Sequence, residues 1–155
     1  MYLYLVQHGE ARKEEEDPER RLTDKGVSDV CKVAAYAGKM NLNAAEIFHS
    51  PKARAQQTAL ILAEQLEPKR GRSLSENLLP MDDPALWAER LGGMNENIML
   101  VGHLPYLARL AGLLLCGDKE KTPVDFKMGG IVCLRRFDDG RWAIEWMIVP
   151  EMVGQ

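Results

Sequence analysis

A chain of 155 residues, 46% hydrophobic and 28% charged, is long enough to bury a proper core, and one domain over residues 1–155 is expected. The formal net charge of −3 gives no reason to expect a nucleic-acid partner. The first apolar run is too short and lacks the basic lead of a signal peptide, and Leu110 to Cys116 is far too short to span a bilayer, so a soluble protein without a membrane partner is expected.

The three cysteines, Cys31, Cys116 and Cys133, lie far apart and lack metal-type spacing. Each sits in an apolar run and is expected to be a small buried side chain. Their odd number argues against a disulfide framework and fits a reducing, cytoplasmic setting.

In chain order, Leu3-Tyr4-Leu5-Val6 is a short buried strand that stops abruptly at Gln7-His8-Gly9. An imidazole at the end of a buried parallel strand lies where open α/β sheets keep their ligand sites. The glycine lets the backbone turn away and lets a ligand approach. A charged loop follows, Arg12 to Arg21, with the acidic cluster Glu14-Glu15-Glu16-Asp17. Thr23 is a good N-cap for a helix with Val27, Val30, Cys31, Ala34 and Ala37 on one apolar face, ending near Gly38 to Asn41.

Ala45 to His49 is a second strand, ending at Ser50-Pro51. A helix with Ala55, Ala59, Leu62 and Leu66 at helical spacing follows at once. Pro51 suits its first turn, which also holds Arg54 beside free backbone N–H groups. A weak third strand is expected over Leu74 to Leu79, then a short helix opened by Asp83-Pro84 and ended by Gly92-Gly93. Asn97 to Gly102 is a second convincing buried strand, and it too runs into Gly-His. The apolar helix from Pro105 to Cys116 has only Arg109 as a polar residue across its middle, so burial on most sides is expected. Gly130 to Phe137 and Trp142 to Val149 flank Asp138-Asp139-Gly140-Arg141, a hairpin signal.

This order implies an α/β three-layer sandwich with a mixed, mostly parallel sheet and a C-terminal β-hairpin. His8, Arg54 and His103 each lie just past the carboxyl end of a strand, and parallel strands share that edge, so the three can converge. Two imidazoles and a guanidinium at a sheet rim suggest phosphoryl chemistry. A neutral imidazole can attack phosphorus, while the guanidinium and a helix N-terminus neutralise the phosphoryl oxygens. A Gly-x-Ser-x-Gly elbow and a phosphate-binding P-loop are both absent. Three histidines, His8, His49 and His103, suffice in number for catalytic zinc, but neither a His-x-x-x-His spacing nor a nearby cysteine supports a metal site. No cofactor is expected.

These residues also carry a resemblance. Leu5-Val6-Gln7-His8-Gly9-Glu10-Ala11 resembles the Arg-His-Gly signature of the histidine phosphatase superfamily. Arg21-Leu22-Thr23-Asp24-Lys25-Gly26 is similar to that family's Leu-Thr-x-x-Gly element. Ser50-Pro51-Lys52-Ala53-Arg54-Ala55-Gln56-Gln57-Thr58-Ala59 matches its Ser-Pro-x-x-Arg-Ala-x-Gln-Thr-Ala element throughout. Val101-Gly102-His103-Leu104-Pro105 is similar to the segment bearing its second catalytic histidine. The resemblance implies a phosphoglycerate mutase-like fold, His8 as the nucleophile, and Arg54 and His103 as ligands of the phosphoryl oxygens. It adds Gln7, Gly9, Arg21 and Glu10 as substrate-binding candidates, with Glu10 a possible acid or base.

Small size and the His-Leu-Pro element resemble the SixA-type phosphohistidine phosphatases. The implied substrate is a histidine-phosphorylated protein, such as a phosphotransfer domain, or a small phosphorylated molecule. Leu104 stands where the acid phosphatase branch carries an acid. A missing acid matters less when the leaving group is imidazole, which departs readily once protonated. Gln7 stands where the family has an arginine, and an amide offers only neutral donors. Three outcomes stay open: a slow phosphatase, an enzyme in which Arg12, Arg20, Arg21 or Arg109 fills the gap, or a phosphate-binding module without turnover.

Overall fold

The computed structural model describes residues 1–154. Six strands, β1 (Tyr2–Gln7), β2 (Glu46–His49), β3 (Arg72–Leu74), β4 (Ile98–Gly102), β5 (Ile131–Arg136) and β6 (Trp142–Ile148), form one sheet in the order β3-β2-β4-β1-β5-β6. The four strands from β3 to β1 run parallel, and the hairpin β5–β6 adds the antiparallel part. Helices α1 (Asp24–Lys39), α2 (Ala53–Leu66), α3 (Ala85–Gly92) and α4 (Tyr106–Cys116) complete the layers.

Alternation along the strands divides the core in two. Tyr4, Val6, Ile47, Met99 and Val101 pack with Val30, Val33, Ala59 and Leu62 of α1 and α2. Leu3, Leu5, Ile98 and Leu100 pack with Trp87, Leu91, Leu107 and Leu110 of α3 and α4. Both faces of β1 and β4 are therefore covered, which explains their unbroken apolar runs. The expected three-layer mixed sandwich and its C-terminal hairpin are present.

Four local expectations change. Strand β3 covers Arg72–Leu74, not Leu74 to Leu79. The Ser75 N–H closes the ladder on the His49 carbonyl, and Asn77 takes a left-handed φ of 66°, so the chain turns away. Leu78 is fully buried from a loop. Pro51 precedes the α2 N-cap, Lys52, and stands outside the helix, although Arg54 does lie in its first turn. The buried stripe of α1 is Gly26, Val30, Val33, Ala34 and Ala37, which leaves Val27 and Cys31 exposed. Gly26 sets that rotation: a Cβ there would stand 2.2 Å from the Glu10 carbonyl oxygen, so only glycine lets α1 come this close. Cys116, in the last turn of α4, is also exposed, and only Cys133 is buried. The expected burial of α4 on most sides holds: Tyr106, Leu107, Leu110, Ala111 and Gly112 are buried and Leu113 to Leu115 half-buried. Among the described residues no helix is long and apolar enough to cross a membrane.

Candidate active site

The parallel strands deliver three side chains to one edge. Gln7 of β1 is in register with Gly102 of β4, and His49 of β2 with Val101, so His8, Ser50 and His103 leave the sheet side by side. The edge is stitched by backbone bonds from His8 N–H to the Gly102 carbonyl (3.1 Å) and from Ser50 N–H to the Val101 carbonyl (3.1 Å). The rings of His8 and His103 meet with centroids 5.1 Å apart.

His8 is 9% exposed and its Nδ1–H donates to the Gly9 carbonyl at 2.7 Å, which leaves the Nε2 lone pair free. Burial, followed by the positive charges of Arg54 and Arg20, holds its pKa down to about 4 against the opposing Gly9 hydrogen bond. His103 is pushed down to about 3, first by burial and then by His8, Arg54, Lys52 and Arg20. Both imidazoles are therefore neutral at pH 7, and the charges that bear on them are cationic.

The segment from Ser50 to Thr58 ties these pieces together. Ser50 Oγ lies 2.7 Å from His103 Nε2. Thr58 Oγ–H donates to the Arg54 carbonyl (2.8 Å) and Thr58 Oγ accepts the Gly9 N–H (3.1 Å), joining the first turn of α2 to the turn that holds His8. The side-chain oxygen of Gln57 accepts the Leu22 N–H at 2.7 Å and anchors the return of the charged loop. Arg54 is half-buried with its Nε buried and unpartnered, and its pKa is lowered by burial and then by Arg20. Two guanidiniums that repel each other, with no carboxylate among the described residues paired to the buried Nε, can attract an anion.

Of the expected substrate-binding residues, Gln7 ends β1 beside His8, with its amide oxygen buried and without a partner among the described residues. Gly9 is needed for a reason other than ligand access: a Cβ would meet Val30 Cγ2 at 2.8 Å and the Gly26 carbonyl oxygen at 3.0 Å. Glu10 is directed to the α1 cap, where its carboxylate accepts the Thr23 hydroxyl at 2.7 Å while Thr23 Oγ accepts Gly26 N–H. Arg21 is exposed and its Nε is bound to Asp17 at 3.0 Å. Asp17 is itself held down to about 2, chiefly by that bond.

The loop presents Arg20 in Arg21's place. An isolated bridge between Ala11 and Leu22 folds the loop back, Asp17 accepts the Arg21 N–H, and Arg20 takes a left-handed φ of 52°. Arg20 Nε then donates to the Arg12 carbonyl at 3.1 Å. Arg20, Lys52 and Arg54 together line an open depression of about 490 Å³ between this loop and the start of α2, shared with Glu14 and Glu19 of the loop. Of these, Lys52 carried no expectation, and its only sequence signal is its place between Pro51 and Arg54. His49 is buried and donates from Nδ1 to the Ser50 carbonyl at 2.9 Å. Among the described residues, no three or more His, Cys, Asp or Glu side chains are grouped to hold a metal ion.

This fold, with neutral imidazoles and guanidiniums at one sheet edge, defines a phosphatase of the phosphoglycerate mutase-like class. Its fold matches that of the protein histidine phosphatase SixA complexed with tungstate, with a TM-score of 0.84, 23% identity and 97% of each chain covered. In sequence, the chain is 24% identical to the phosphohistidine phosphatase SixA of Escherichia coli, over 97% of this chain and 94% of that protein. It is 33% identical to an uncharacterized protein of Picosynechococcus sp., over 87% of this chain and 85% of that one. Residues 3–79 match the model of the histidine phosphatase superfamily (branch 1). The chain belongs to the histidine phosphatase superfamily.

Proposed function

We propose that this chain is a phosphohistidine phosphatase that works through a phosphorylated His8. The observation that carries this is the His8 imidazole: Nδ1–H is spent on the Gly9 carbonyl, so a neutral Nε2 lone pair is held beside His103 and two guanidiniums. Nε2 attacks phosphorus, the P–N bond of the substrate phosphohistidine breaks, and the departing imidazole takes a proton from solvent. Water then attacks the phosphorus on His8, the Nε2–P bond breaks, and inorganic phosphate leaves. Arg54 and Arg20 neutralise the phosphoryl oxygens through both steps, and His103 donates a hydrogen bond to one of them. Glu10 is held on Thr23, and no acidic group is among the charges acting on either histidine. An alkoxide needs its proton delivered in the transition state; imidazole leaves without that help. A histidine-phosphorylated protein therefore suits the site better than an alkyl phosphomonoester.

One feature favours a second reading, a phospho-recognition module without turnover: Gln7 puts a neutral amide where the Arg-His-Gly signature that this segment resembles has a guanidinium. The test compares kcat/KM on a histidine-phosphorylated phosphotransfer domain with that on small alkyl phosphates. Faster turnover of phosphohistidine, abolished by His8→Ala, is expected. Preference for alkyl phosphates would make the chain a small-molecule phosphomonoesterase, and reversible phosphate binding without turnover would make it a binding module.

A further inference from the structure

Ser50 is fully buried where β2 ends, and its hydroxyl has two neighbours. Its oxygen accepts the Lys52 backbone N–H at 3.3 Å, and it lies 2.7 Å from His103 Nε2. If Nε2 carried the ring proton, two donors would converge on this one oxygen. The hydroxyl's own proton would then have no acceptor among the described residues. With the proton on Nδ1 instead, the hydroxyl donates to a bare Nε2 and every group around Ser50 is matched. That choice leaves one donor over, His103 Nδ1–H, which is buried and has no partner among the described residues. His8, by contrast, spends its Nδ1–H on the Gly9 carbonyl.

We propose that Ser50 fixes His103 in the neutral Nδ1–H tautomer, so that its unpartnered ring N–H is a donor held ready for a phosphoryl oxygen. The donor role rests on the function proposed above. The two rings are then in the same tautomer but turned opposite ways, His8 presenting a lone pair and His103 a proton. Ser50 is a positioning residue, acting on the phosphoryl group only through His103. The low pKa of His103 agrees, because a neutral ring is the only kind with a tautomer to set.

Long-range ¹H–¹⁵N correlation of the histidine rings near neutral pH tests this directly. In the wild type, His103 should show a protonated Nδ1 and a bare Nε2, and inorganic phosphate should shift the Nδ1–H signal. Ser50→Ala should release the proton to Nε2 in part or whole. Its kcat should fall by up to the roughly 10²-fold that loss of one oxyanion donor brings. In a His103→Gln background the same substitution should cost nothing further, which a purely structural role would not produce. A wild-type Nε2–H tautomer overturns the role of Ser50 even if Ser50→Ala does not fold, and an unchanged tautomer in a folded Ser50→Ala does the same. A wild-type Nδ1–H that does not shift while calorimetry shows phosphate bound overturns the donor role alone, whereas no bound phosphate at all overturns the phosphoryl function of the pocket.

Discussion

Gln7→Arg adds a third guanidinium to a pocket that already holds two. Gln7 ends β1 in register with Gly102, and its amide oxygen is buried without a partner among the described residues. One preorganised donor aimed at developing charge contributes roughly 2.7–4 kcal/mol, or about 10²–10³ in rate. That figure is a ceiling here, because Arg20 and Arg54 already act on both histidines. The opposing effect is repulsion: two unit charges about 4 Å apart repel by about 4 kcal/mol at an effective dielectric of about 20. Without an anion the repulsion wins, and with a phosphoryl dianion the attraction wins. Gln7→Arg should therefore lower Tm in phosphate-free buffer and regain more Tm than the wild type when phosphate is added. Phosphate should bind roughly tenfold tighter or more, since part of the new attraction is already made in the ground state, and the further part made only as charge develops in the transition state raises turnover. Turnover of phosphohistidine or an activated aryl phosphate should rise within the 10²–10³ ceiling. Arg20→Ala should do the reverse, and Gln7→Arg should partly rescue it. Calorimetric titration with phosphate and single-turnover kinetics read both effects. If Gln7→Arg leaves affinity and turnover unchanged, position 7 is outside the phosphoryl pocket.

Stability should fall with acid through the two histidines. Unfolded, both titrate near 6.5; folded, burial holds them to about 4 and about 3, so the unfolded chain takes protons first. Their contribution is whole above about pH 6.5, and each withdraws up to about a factor of ten in the folded-to-unfolded ratio per pH unit, His8 down to about pH 4 and His103 down to about pH 3. Denaturant melts across that window check it, and a flat profile would refute it. Gly26→Ala gains about 1 kcal/mol of helix propensity but forces a Cβ to 2.2 Å from backbone at Glu10. Overpacking of about 1–3 kcal/mol should win, lowering Tm and, through Glu10 and Gly9, activity. Phosphatase activity should survive chelators, because a cation on His8 Nε2 would compete with phosphorus for the lone pair; activity lost with chelator and restored by zinc would contradict this.

The strand ends that make the site were legible because β1 and β4 are buried on both faces. Their apolar runs stop visibly at His8 and His103, and parallel pairing puts such stops on one edge. Arg54 was legible from its distance past β2. The choice between the adjacent arginines was not. It depends on Asp17, which claims Arg21, and on the Ala11–Leu22 bridge that turns Arg20 back, both products of tertiary folding. Glu10 was a candidate acid or base through the family resemblance, yet the Thr23 cap claims its carboxylate. Ser50 marked only the end of a strand and the start of a motif, since nothing local indicates that His103, 53 residues later, meets its hydroxyl.

The covalent step is tested by trapping. A phosphotransfer domain labelled on its phosphohistidine is mixed with the protein, quenched in alkali within the first turnover, and the site of label is located by mass spectrometry. Acid-labile, alkali-stable label on His8, absent in His8→Ala, is the expected result. Release of labelled phosphate with no label ever on His8, or label that persists in His8→Ala, would contradict the account.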